Sequence, residues 1–389
     1  MASLISIMSS KVKEHGGINL AQGIPGFEPP IQLLDILSKL VHNEIHQYAP
    51  ASGNLQLVKS ILEKYSTFAT FQPENLLITN GATEAISLIY TYLNRKHKKL
   101  TVLGFDPVYE TYSNLPKIFG DEFIAFALND NLVVDFEQLE KIVIAQKVNL
   151  IFINTPGNPL GKIWTKQEFE KLLNIIHKYN VYLIIDAVYR EIYFKSEAYI
   201  PFEYFSENIF YVNSFSKLFS ITGWRLGYFF MHTSHSHQIR SIHDYIGLCA
   251  NSVMQQAVYE YVNMSDFGRN YVEKMREKIA NSYNLLYESL LEFGFTAPRV
   301  EGGYFIWAKL PETYTNGYDF AMELYDKEQV AVVPGEHFSS QGKAHIRINI
   351  ARNLPEIYKS IAAFKHFFAD NSESARLFKR MTSIKTCHC

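Results

Sequence analysis

The most informative stretch of the chain is VNSFSKLFSITGWRLG, which occupies residues 212–227. It overlaps the end of the apolar run Ile209–Asn213, so we expect Lys217 to lie just beyond the end of a strand. Serines and aromatic residues flank this lysine, and Arg225 follows at a distance from which it can reach the same anion. A surface lysine would need no such neighbours, whereas a partly desolvated amine is suited to forming a Schiff base with a carbonyl group.

Short apolar runs alternate with helical periodicity on both sides of this stretch. Alternation of this kind predicts parallel β-α-β units, and hence an α/β fold whose mostly parallel sheet carries helices on both faces. Ligands of such sheets bind beyond the carboxyl ends of the strands. The predicted strands are Asn75–Thr79, Leu100–Leu103, Leu150–Asn154, Val181–Ile185, Ile209–Asn213 and Arg225–Met231, with helices from Thr83, over Val108–Phe119 and from Lys166.

The two ends of the chain differ from this central part. Residues 18–30 are rich in the turn formers glycine and proline, and they predict an extended arm. Strands mixed with helices after Phe295 predict a smaller α+β domain that the amino-terminal segment completes. Further helices are expected over Ile31–Asn43, Gly53–Phe68, Gln238–Val262 and Phe267–Phe293, and further strands over Tyr304–Lys309, Val330–Val333 and Ala344–Asn349.

Composition limits the possible classes of function. The 389 residues are 47% hydrophobic and 20% charged, and a formal net charge of -2 gives no general attraction for nucleic acid or an anionic membrane. The three cysteines are too few for a disulfide framework, and Cys387-His388-Cys389 lacks the further ligands of a closed zinc site, so we expect no metal. We also expect no secretory leader and no membrane span, which predicts a cytosolic protein.

A second group of candidate residues follows the predicted strand Val181–Ile185 and its neighbour. Asp186 ends this strand, and an acid there is unfavourable unless it meets a cation or hydrogen-bond donors. A protonated pyridine nitrogen would supply such a cation. Tyr189, three residues later, and Asn158, in the turn after the neighbouring strand, could both hydrogen-bond a phenolic oxygen on the same ring.

A third motif, Gly81-Ala82-Thr83, joins a predicted strand to a predicted helix. Free backbone amides at the amino terminus of a helix form a binding site for anions. Such turns are common, so the motif is weak on its own. Together with Lys217 and Arg225 it predicts a phosphate site.

As a set, these motifs resemble the fold-type I pyridoxal-phosphate aminotransferases of class I and II, from Ile18 to about Phe368. NLAQGIP at residues 19–25 and QYAP at residues 47–50 are most similar to the branch of methionine aminotransferases and kynurenine or glutamine transaminases. The resemblance implies a seven-stranded sheet in a large domain, a smaller α+β domain, and transfer of an amino group between an amino acid and a 2-oxo acid. The features that carry it are Gln22-Gly23, Tyr48 before Gly53, Gly81-Ala82-Thr83, Tyr109 after Asp106-Pro107, Asn158-Pro159, Asp186 with Tyr189, Ser214 through Lys217, Arg225 and Arg347.

The resemblance also implies how these residues bind pyridoxal 5'-phosphate. Lys217 would hold the cofactor as a Schiff base and then move a proton between the substrate α-carbon and the cofactor, while Asp186 keeps the ring nitrogen protonated. Tyr189 and Asn158 would bind the ring oxygen, and Tyr109 would stack on the ring. The residues expected to hold the phosphate are Gly81, Ala82, Thr83, Ser214 and Arg225, joined by Tyr48 from the second subunit of a homodimer that shares its active site.

For the substrate, the resemblance implies that Arg347 clamps the α-carboxylate through two parallel hydrogen bonds, with Gly23 and Asn158 beside it. Ile24 and Tyr109 would offer apolar walls. Ile24 stands where an aromatic residue is common in the branch, and Ala187 stands where a glutamate is usual. With these departures, the resemblance does not decide the chemical character of the pocket for the substrate side chain.

The class of amino donor depends on the segment from Leu248 to Ser252. In the aspartate branch a second arginine for the distal carboxylate comes from the partner subunit, near the equivalent of this segment, whose residues here are all neutral. A neutral site favours donors such as methionine, glutamine or the aromatic amino acids. Arg240 is the nearest basic residue, and we expect it on an exposed helix.

The expected division of the chain follows from the same resemblance. Residues 1–44 are expected to form the arm and part of the small domain, 45–284 the large cofactor-binding domain, 285–370 the rest of the small domain, and 371–389 a polar tail.

Two other functions are compatible with parts of this pattern. A carbon-sulfur β-lyase shares the fold, the lysine and the phosphate site, and the motifs hardly separate it from a transaminase. A non-catalytic regulator that senses the cofactor would carry a DNA-binding module ahead of the arm, whereas here the arm is reached by residue 18. A structural descendant would be expected to have lost Lys217 or Asp186.

Overall fold

The computed structural model describes residues 3–43, 45–129 and 131–370, so the expected polar tail and its Cys387-His388-Cys389 ending lie outside the described residues. The helices are α1 (Leu4–His15), α2 (Ile31–Leu40), α3 (Leu55–Tyr65), α4 (Ala82–His97), α5 (Glu110–Phe119), α6 (Phe136–Ala145), α7 (Lys166–Tyr179), α8 (Phe215–Leu218), α9 (Thr233–Ile246), α10 (Ser252–Met264), α11 (Arg269–Glu292), α12 (Gly317–Glu328) and α13 (Leu354–Asp370). The strands are β1 (Ile18–Asn19), β2 (Leu76–Thr79), β3 (Thr101–Asp106), β4 (Glu122–Ala127), β5 (Leu150–Asn154), β6 (Tyr182–Asp186), β7 (Ile209–Ser214), β8 (Gly227–Phe230), β9 (Phe305–Lys309), β10 (Val330–Ala331), β11 (Val333–Pro334) and β12 (His345–Asn349).

The larger of two compact units comprises residues 24–277 and 300–303. Its seven strands lie in the order β2-β8-β7-β6-β5-β3-β4, and β8 alone runs antiparallel to its neighbours. The predicted α/β class with a mostly parallel, seven-stranded sheet is therefore confirmed.

The central strands of this sheet are apolar because helices cover both of its faces. Along β6, Leu183 and Ile185 belong to one apolar cluster, whereas Tyr182 and Ile184 belong to another. Successive side chains of a strand point to opposite faces, so the two clusters are the cores above and below the sheet. This burial leaves the polar strand ends as the place where chemistry can occur.

The helix that follows β5 shows how local sequence fixes the element ends. At its start the Thr165 hydroxyl accepts a hydrogen bond from the Glu168 amide, and the Glu168 carboxylate accepts one from the Thr165 amide. This reciprocal pair satisfies amides that the first turn of the helix leaves open. Asn180 ends α7 in the left-handed conformation, which asparagine tolerates well.

The smaller unit comprises the chain up to Gly23, residues 278–299 and the chain from Tyr304. Its three-stranded antiparallel sheet has the order β11-β12-β9, and a separate parallel pair joins β1 to β10. The arm lies along the end of β12, since the Asn349 amide donates to the Leu20 carbonyl at 2.8 Å and the Asn349 side chain donates to the Gln22 carbonyl at 2.6 Å.

Some elements differ from the sequence expectation. The helix expected over Gln238–Val262 is two helices, because Gly247 ends α9, Leu248 has a positive φ of 60°, and the Asn251 side chain caps α10. The strand expected over Val330–Val333 divides into β10 and β11, which belong to different sheets. Helices α1 and α6 and strand β4 were not anticipated.

The larger unit begins at Ile24, whereas the sequence placed the boundary after residue 44. The physical reason lies in α2, whose Leu33 and Leu40 are buried in the same apolar cluster as Ile61 of α3. In the described part of the chain, no helix is both long and apolar enough to cross a membrane.

Candidate active site

Three polar residues end adjacent parallel strands of the larger unit. Asn154 of β5 lies opposite Asp186 of β6, and Asp186 in turn lies opposite Val212 of β7, two residues before Ser214. The carboxyl ends of neighbouring parallel strands meet at one edge of a sheet, which is where such folds bind ligands. The sheet therefore brings together the strand-end residues that the sequence singled out.

Asp186 is a buried acid, only 4% exposed. One of its carboxylate oxygens accepts a hydrogen bond of 2.6 Å from the Tyr112 hydroxyl, and the other accepts one of 3.1 Å from the Val188 amide. Burial raises the pKa of Asp186 to about 6, against the opposing effects of these two donors and of the charge of Lys217. A cation placed beside this carboxylate would reverse that rise and would be bound in return.

Tyr112 is a site residue that the sequence reasoning missed. Its ring is buried and stacks on Phe152, with centroids 4.7 Å apart and planes 5° apart, while the ring of Tyr109 meets it edge-on at 5.4 Å. Burial and the neighbouring Asp186 carboxylate hold the pKa of the Tyr112 hydroxyl well above its ordinary value. The hydroxyl therefore stays protonated and donates to Asp186. The only signal in the sequence was its spacing of three residues from Tyr109.

From the sequence, Asn154 was predicted only to be the last residue of a strand. Its side-chain amide donates to the Asp186 carbonyl at 2.9 Å, and its side-chain oxygen accepts from the Asn158 amide at 2.6 Å. It thereby ties the end of β6 to the turn that carries Asn158, whose side chain is itself buried.

Lys217 and Tyr189 complete this group. Lys217 lies on the single turn of α8, directly after β7, and its side chain is partly exposed while its charge acts on Asp186. The Ser214 hydroxyl accepts the Ser216 amide at 3.1 Å and so starts that turn. Tyr189 is buried in the segment after β6, and it and Tyr109 both act electrostatically on Tyr112.

The residues expected to hold a phosphate also converge. Gly81 has a φ of 82° and precedes α4, and a Cβ added to it would lie 2.6 Å from Nη2 of Arg225. The guanidinium donates to the Asn80 carbonyl at 3.2 Å and to the Thr222 carbonyl at 3.1 Å. Strand β8 joins them to β7, because Gly227 lies opposite Ser214.

This arrangement is suited to binding an anion. The first amides of a helix point along its axis at its amino terminus, so those after Gly81 favour an anion, and the Arg225 charge adds to that preference. Ala82 and Thr83 begin α4, and the Ala82 amide nitrogen would be only 2.8 Å from a Cβ on Gly227. Both glycines are therefore needed for the close approach of these segments.

The smaller unit holds two of the predicted substrate ligands, Gly23 and Arg347. Arg347, in the middle of β12, is fully buried and donates a short hydrogen bond to the Ala21 carbonyl of the arm. A Cβ added to Gly23 would lie 3.9 Å from Nη1 of Arg347. The structure thus brings Gly23 and Arg347 together.

Two further predicted residues, Tyr48 and Ile24, belong to the larger unit. Tyr48 is 82% exposed in the larger unit, and Ile24 is partly buried at the start of that unit. Arg240 is not the freely exposed arginine that was expected, because its guanidinium donates to Ser236 and to the carbonyls of Pro73 and Leu76 at 2.7–3.1 Å. These acceptors hold it at the amino end of β2.

The larger unit fits pyridoxal 5'-phosphate at each of three points. A buried carboxylate with a raised pKa suits the ring nitrogen, a partly exposed lysine within the electrostatic reach of that carboxylate suits the aldehyde, and the helix terminus with Arg225 suits the phosphate. Across residues 3–43, 45–129 and 131–370, no group of three or more His, Cys, Asp or Glu side chains could hold a metal ion.

Comparison with known proteins agrees with this geometry. The family model described as aminotransferase class I and II matches residues 15–363. A probable aspartate aminotransferase of Methanocaldococcus jannaschii is 27% identical over 360 residues, covering 90% of this chain and 93% of its own length. Methionine aminotransferase of Escherichia coli is 28% identical over 364 residues, covering 90% and 91%. The solved structure of Thermus thermophilus aspartate aminotransferase with maleate covers 94% of this chain and 96% of its own, with a TM-score of 0.86 at 22% identity, and this likeness supports the fold.

Proposed function

The chain belongs to the class I and II aminotransferases, enzymes that depend on pyridoxal 5'-phosphate, and we propose that it moves the amino group of a neutral L-amino acid to a 2-oxo acid. The reaction would follow a ping-pong course, in which the donor reacts and leaves before the acceptor binds. The observation that carries the assignment of roles is the buried Asp186 carboxylate, which lies within the electrostatic reach of Lys217.

The cofactor supplies, when bound, an aldehyde that links to amines and a ring that withdraws electrons from the substrate α-carbon. Lys217 would hold that aldehyde and, once released, would move a proton to and from the substrate α-carbon. Asp186 would keep a proton on the ring nitrogen, and Tyr112 and Val188 fix its carboxylate. Tyr189 and Asn158 would bind the ring oxygen, and Tyr109 would lie on the ring face.

At the other end of the cofactor, the amides of the α4 terminus would hold the phosphate. Gly81 would let the chain approach the anion, and the amides of Ala82 and Thr83 would donate to it. Ser214 and Arg225 complete the set, with Arg225 in place beside Gly81.

Arg347 binds the α-carboxylate of the substrate through paired hydrogen bonds, beside Gly23. The preference for a neutral side chain rests on the segment from Leu248 to Ser252, which offers no basic group. Asn80, directly before the phosphate site, donates to the Cys249 carbonyl at 3.4 Å, so this neutral segment lies close to that site.

Two basic residues could give the side-chain pocket a positive charge, but both are bound to other groups. Arg240 is held by backbone carbonyls at the amino end of β2, and Lys11 pairs with Asp326 at 3.3 Å. The relatives do not decide the donor, because one of them is described as acting on aspartate and another on methionine. Ile24 and Tyr109 would offer apolar walls to the donor side chain.

We also propose a homodimer in which Tyr48 completes the phosphate site of the second subunit. Large apolar side chains remain exposed on the larger unit, which is typical of a surface that another chain covers. They include Ile31, Tyr48, Tyr245, Ile246 and Leu248. A fully active monomer at assay concentration would contradict the proposal.

A cytosolic location stays a prediction.

Comparison of amino donors tests this function directly. The holoenzyme is assayed with methionine, glutamine, phenylalanine and aspartate, each with a common 2-oxo acid. We expect kcat/KM for the best neutral donor to exceed that for aspartate about a hundredfold or more, since an unpaired second carboxylate costs a few kcal/mol and each 1.4 kcal/mol is a factor of ten.

Two outcomes would overturn the proposal in different ways. Comparable kcat/KM values for aspartate and methionine would show that a basic residue reaches the side-chain pocket. Release of pyruvate and ammonia from a sulfur-containing donor, with no 2-oxo acid present, would instead identify a carbon-sulfur β-lyase.

A further inference from the structure

The arginine expected to bind the substrate carboxylate lies against two aromatic rings. Arg347 is fully buried, and its Cζ atom lies 4.4 Å from the ring centroid of Phe305 and 4.7 Å from that of Phe338, over each ring. Both phenylalanines are themselves buried. All three residues belong to the smaller unit, whose sheet sets their positions.

The register of the sheet explains the first contact. Arg347 of β12 lies opposite Trp307 of β9, and Phe305 lies two residues before Trp307 and hence on the same face. Phe305 is therefore the diagonal neighbour of Arg347, at a separation that long side chains bridge. Phe338 follows a short helical turn after β11, and its ring meets Trp307 edge-on at 6.0 Å.

Rings and carboxylates make different demands on a guanidinium group. An aromatic face attracts the cation through its quadrupole, and the attraction strengthens when water is excluded. The ring accepts charge without using the N–H directions in the guanidinium plane, which a carboxylate needs for two parallel hydrogen bonds. Two rings can thus stabilise a buried Arg347 while leaving it able to bind a substrate.

The arm further restricts the orientation of the Arg347 guanidinium. Nη2 of Arg347 donates to the Ala21 carbonyl, and the Gly23 carbonyl accepts a hydrogen bond of 3.0 Å from the Tyr304 hydroxyl. A Cβ added to Gly23 would lie 3.3 Å from the Phe305 ring, so the arm also packs against that ring. The Ala21 carbonyl, which accepts from Nη2, and the two rings beneath Cζ therefore hold the guanidinium.

We propose that Phe305 and Phe338 are positioning residues that set the affinity of this enzyme for the α-carboxylate of its substrates, by holding Arg347 desolvated and oriented. This inference rests on the proposed role of Arg347. It predicts that loss of either ring weakens every carboxylate-bearing ligand and leaves the chemistry of bound substrate unchanged.

The test uses the holoenzyme and a single half-reaction with a neutral donor, such as methionine, followed by the absorbance of the bound cofactor. Phe338→Leu and Phe305→Leu keep an apolar side chain and remove the ring. We expect each to raise the dissociation constant of the donor about tenfold, as for a desolvated cation–π contact, with the limiting rate unchanged. Phe338→Tyr keeps the ring and should restore the affinity.

Two controls separate positioning from general damage. Phe320→Leu removes a buried ring of α12 that packs against Phe295 and Phe367, and it should leave the dissociation constant unchanged. A primary amine that carries the side chain of the donor but no carboxylate should show the same dissociation constant and rate in the wild type and in all variants. Equal losses in Phe320→Leu and Phe338→Leu, or a fall in the limiting rate alone, would overturn the proposal.

A third variant distinguishes failure of this inference from failure of the proposed function. Arg347→Lys removes the planar fork and should weaken the donor more than either leucine variant. If Arg347→Lys binds the donor as the wild type does, the role of Arg347 itself is wrong. If it weakens binding and the leucine variants do not, only the role of the rings is wrong.

Discussion

Asp186 combines a cost in stability with a proposed role in binding the cofactor. Its pKa is raised from 3.8 to about 6 by burial, so the folded protein without cofactor binds this proton more tightly than the unfolded chain does. The unfolding free energy must therefore fall as pH rises from about 4 to about 6, and it stays lower above that range. The ionised carboxylate is destabilising until a cation meets it.

Replacement of Asp186 by asparagine should remove this dependence. In the cofactor-free protein we expect Asp186→Asn to raise the unfolding free energy at pH 8 by up to about 3 kcal/mol, since each unit of pKa difference corresponds to about 1.4 kcal/mol. The gain should shrink toward zero as pH approaches 4. Urea unfolding at pH 5 and pH 8 measures it, with the exposed Asp35→Asn as control. An equal gain at both pH values would contradict this account of Asp186.

The residues of the candidate site differ in how readily the sequence alone points to them. Lys217, Asp186 and Arg225 were identifiable because an ionisable group beside an apolar run is physically costly without a purpose. Tyr112 was not, because a tyrosine on an amphipathic helix is usually part of the core. Only the packing of α5 on β5, which stacks Tyr112 on Phe152, turns its hydroxyl toward Asp186.

At the scale of elements, the proposed phosphate site depends on the turn before α4. Gly81 has a φ of 82° and a ψ of 171°, and Gly16, which ends α1, has a φ of 83° and a ψ of -167°. An added Cβ would collide with the Arg225 guanidinium at Gly81 but would meet nothing within 4 Å at Gly16. The two glycines therefore have nearly the same backbone conformation, which other residues rarely adopt, and they differ in their surroundings.

This contrast gives a matched pair of variants. We expect Gly81→Ala to raise the dissociation constant of pyridoxal phosphate at least about tenfold, because displacing Arg225 weakens a charge-assisted contact. Gly16→Ala should bear a similar backbone strain, of about 1–3 kcal/mol, with cofactor affinity unchanged. Titration of both variants with the cofactor, followed by absorbance, provides the measurement. Equal affinities would show that Gly81 has no special role at the phosphate.

The sequence predicted a helix or strand well where its apolar residues follow a strong pattern. Strands β5, β6 and β7 are continuous apolar runs, so the sequence located them closely. The helix expected over Gln238–Val262 was wrong because apolar periodicity continues across Gly247, where capping decides the break. Strand β4 lies at the edge of the sheet, and its mixed residues gave no comparable signal.

At the scale of the whole molecule, the sequence indicated two domains but not where the chain passes between them. The alternation of strands and helices identified the larger unit, and its ends depend on long-range packing. Leu33 and Leu40 of α2 join the larger core, which no local pattern reveals. Residues 300–303 return to the larger unit, where the Phe194 amide donates to the Glu301 carbonyl at 2.8 Å.

The central claim is that Lys217 is the residue through which this chain transfers amino groups. The most direct test follows the visible absorbance of the cofactor-loaded enzyme when methionine is added alone, and then when a 2-oxo acid is added. The account predicts that the wild-type spectrum changes with the donor and returns with the acceptor, while Lys217→Ala binds the cofactor and does not turn over. Turnover by Lys217→Ala at the wild-type rate, or a colourless wild-type protein that gains no absorbance with pyridoxal phosphate, would contradict the claim.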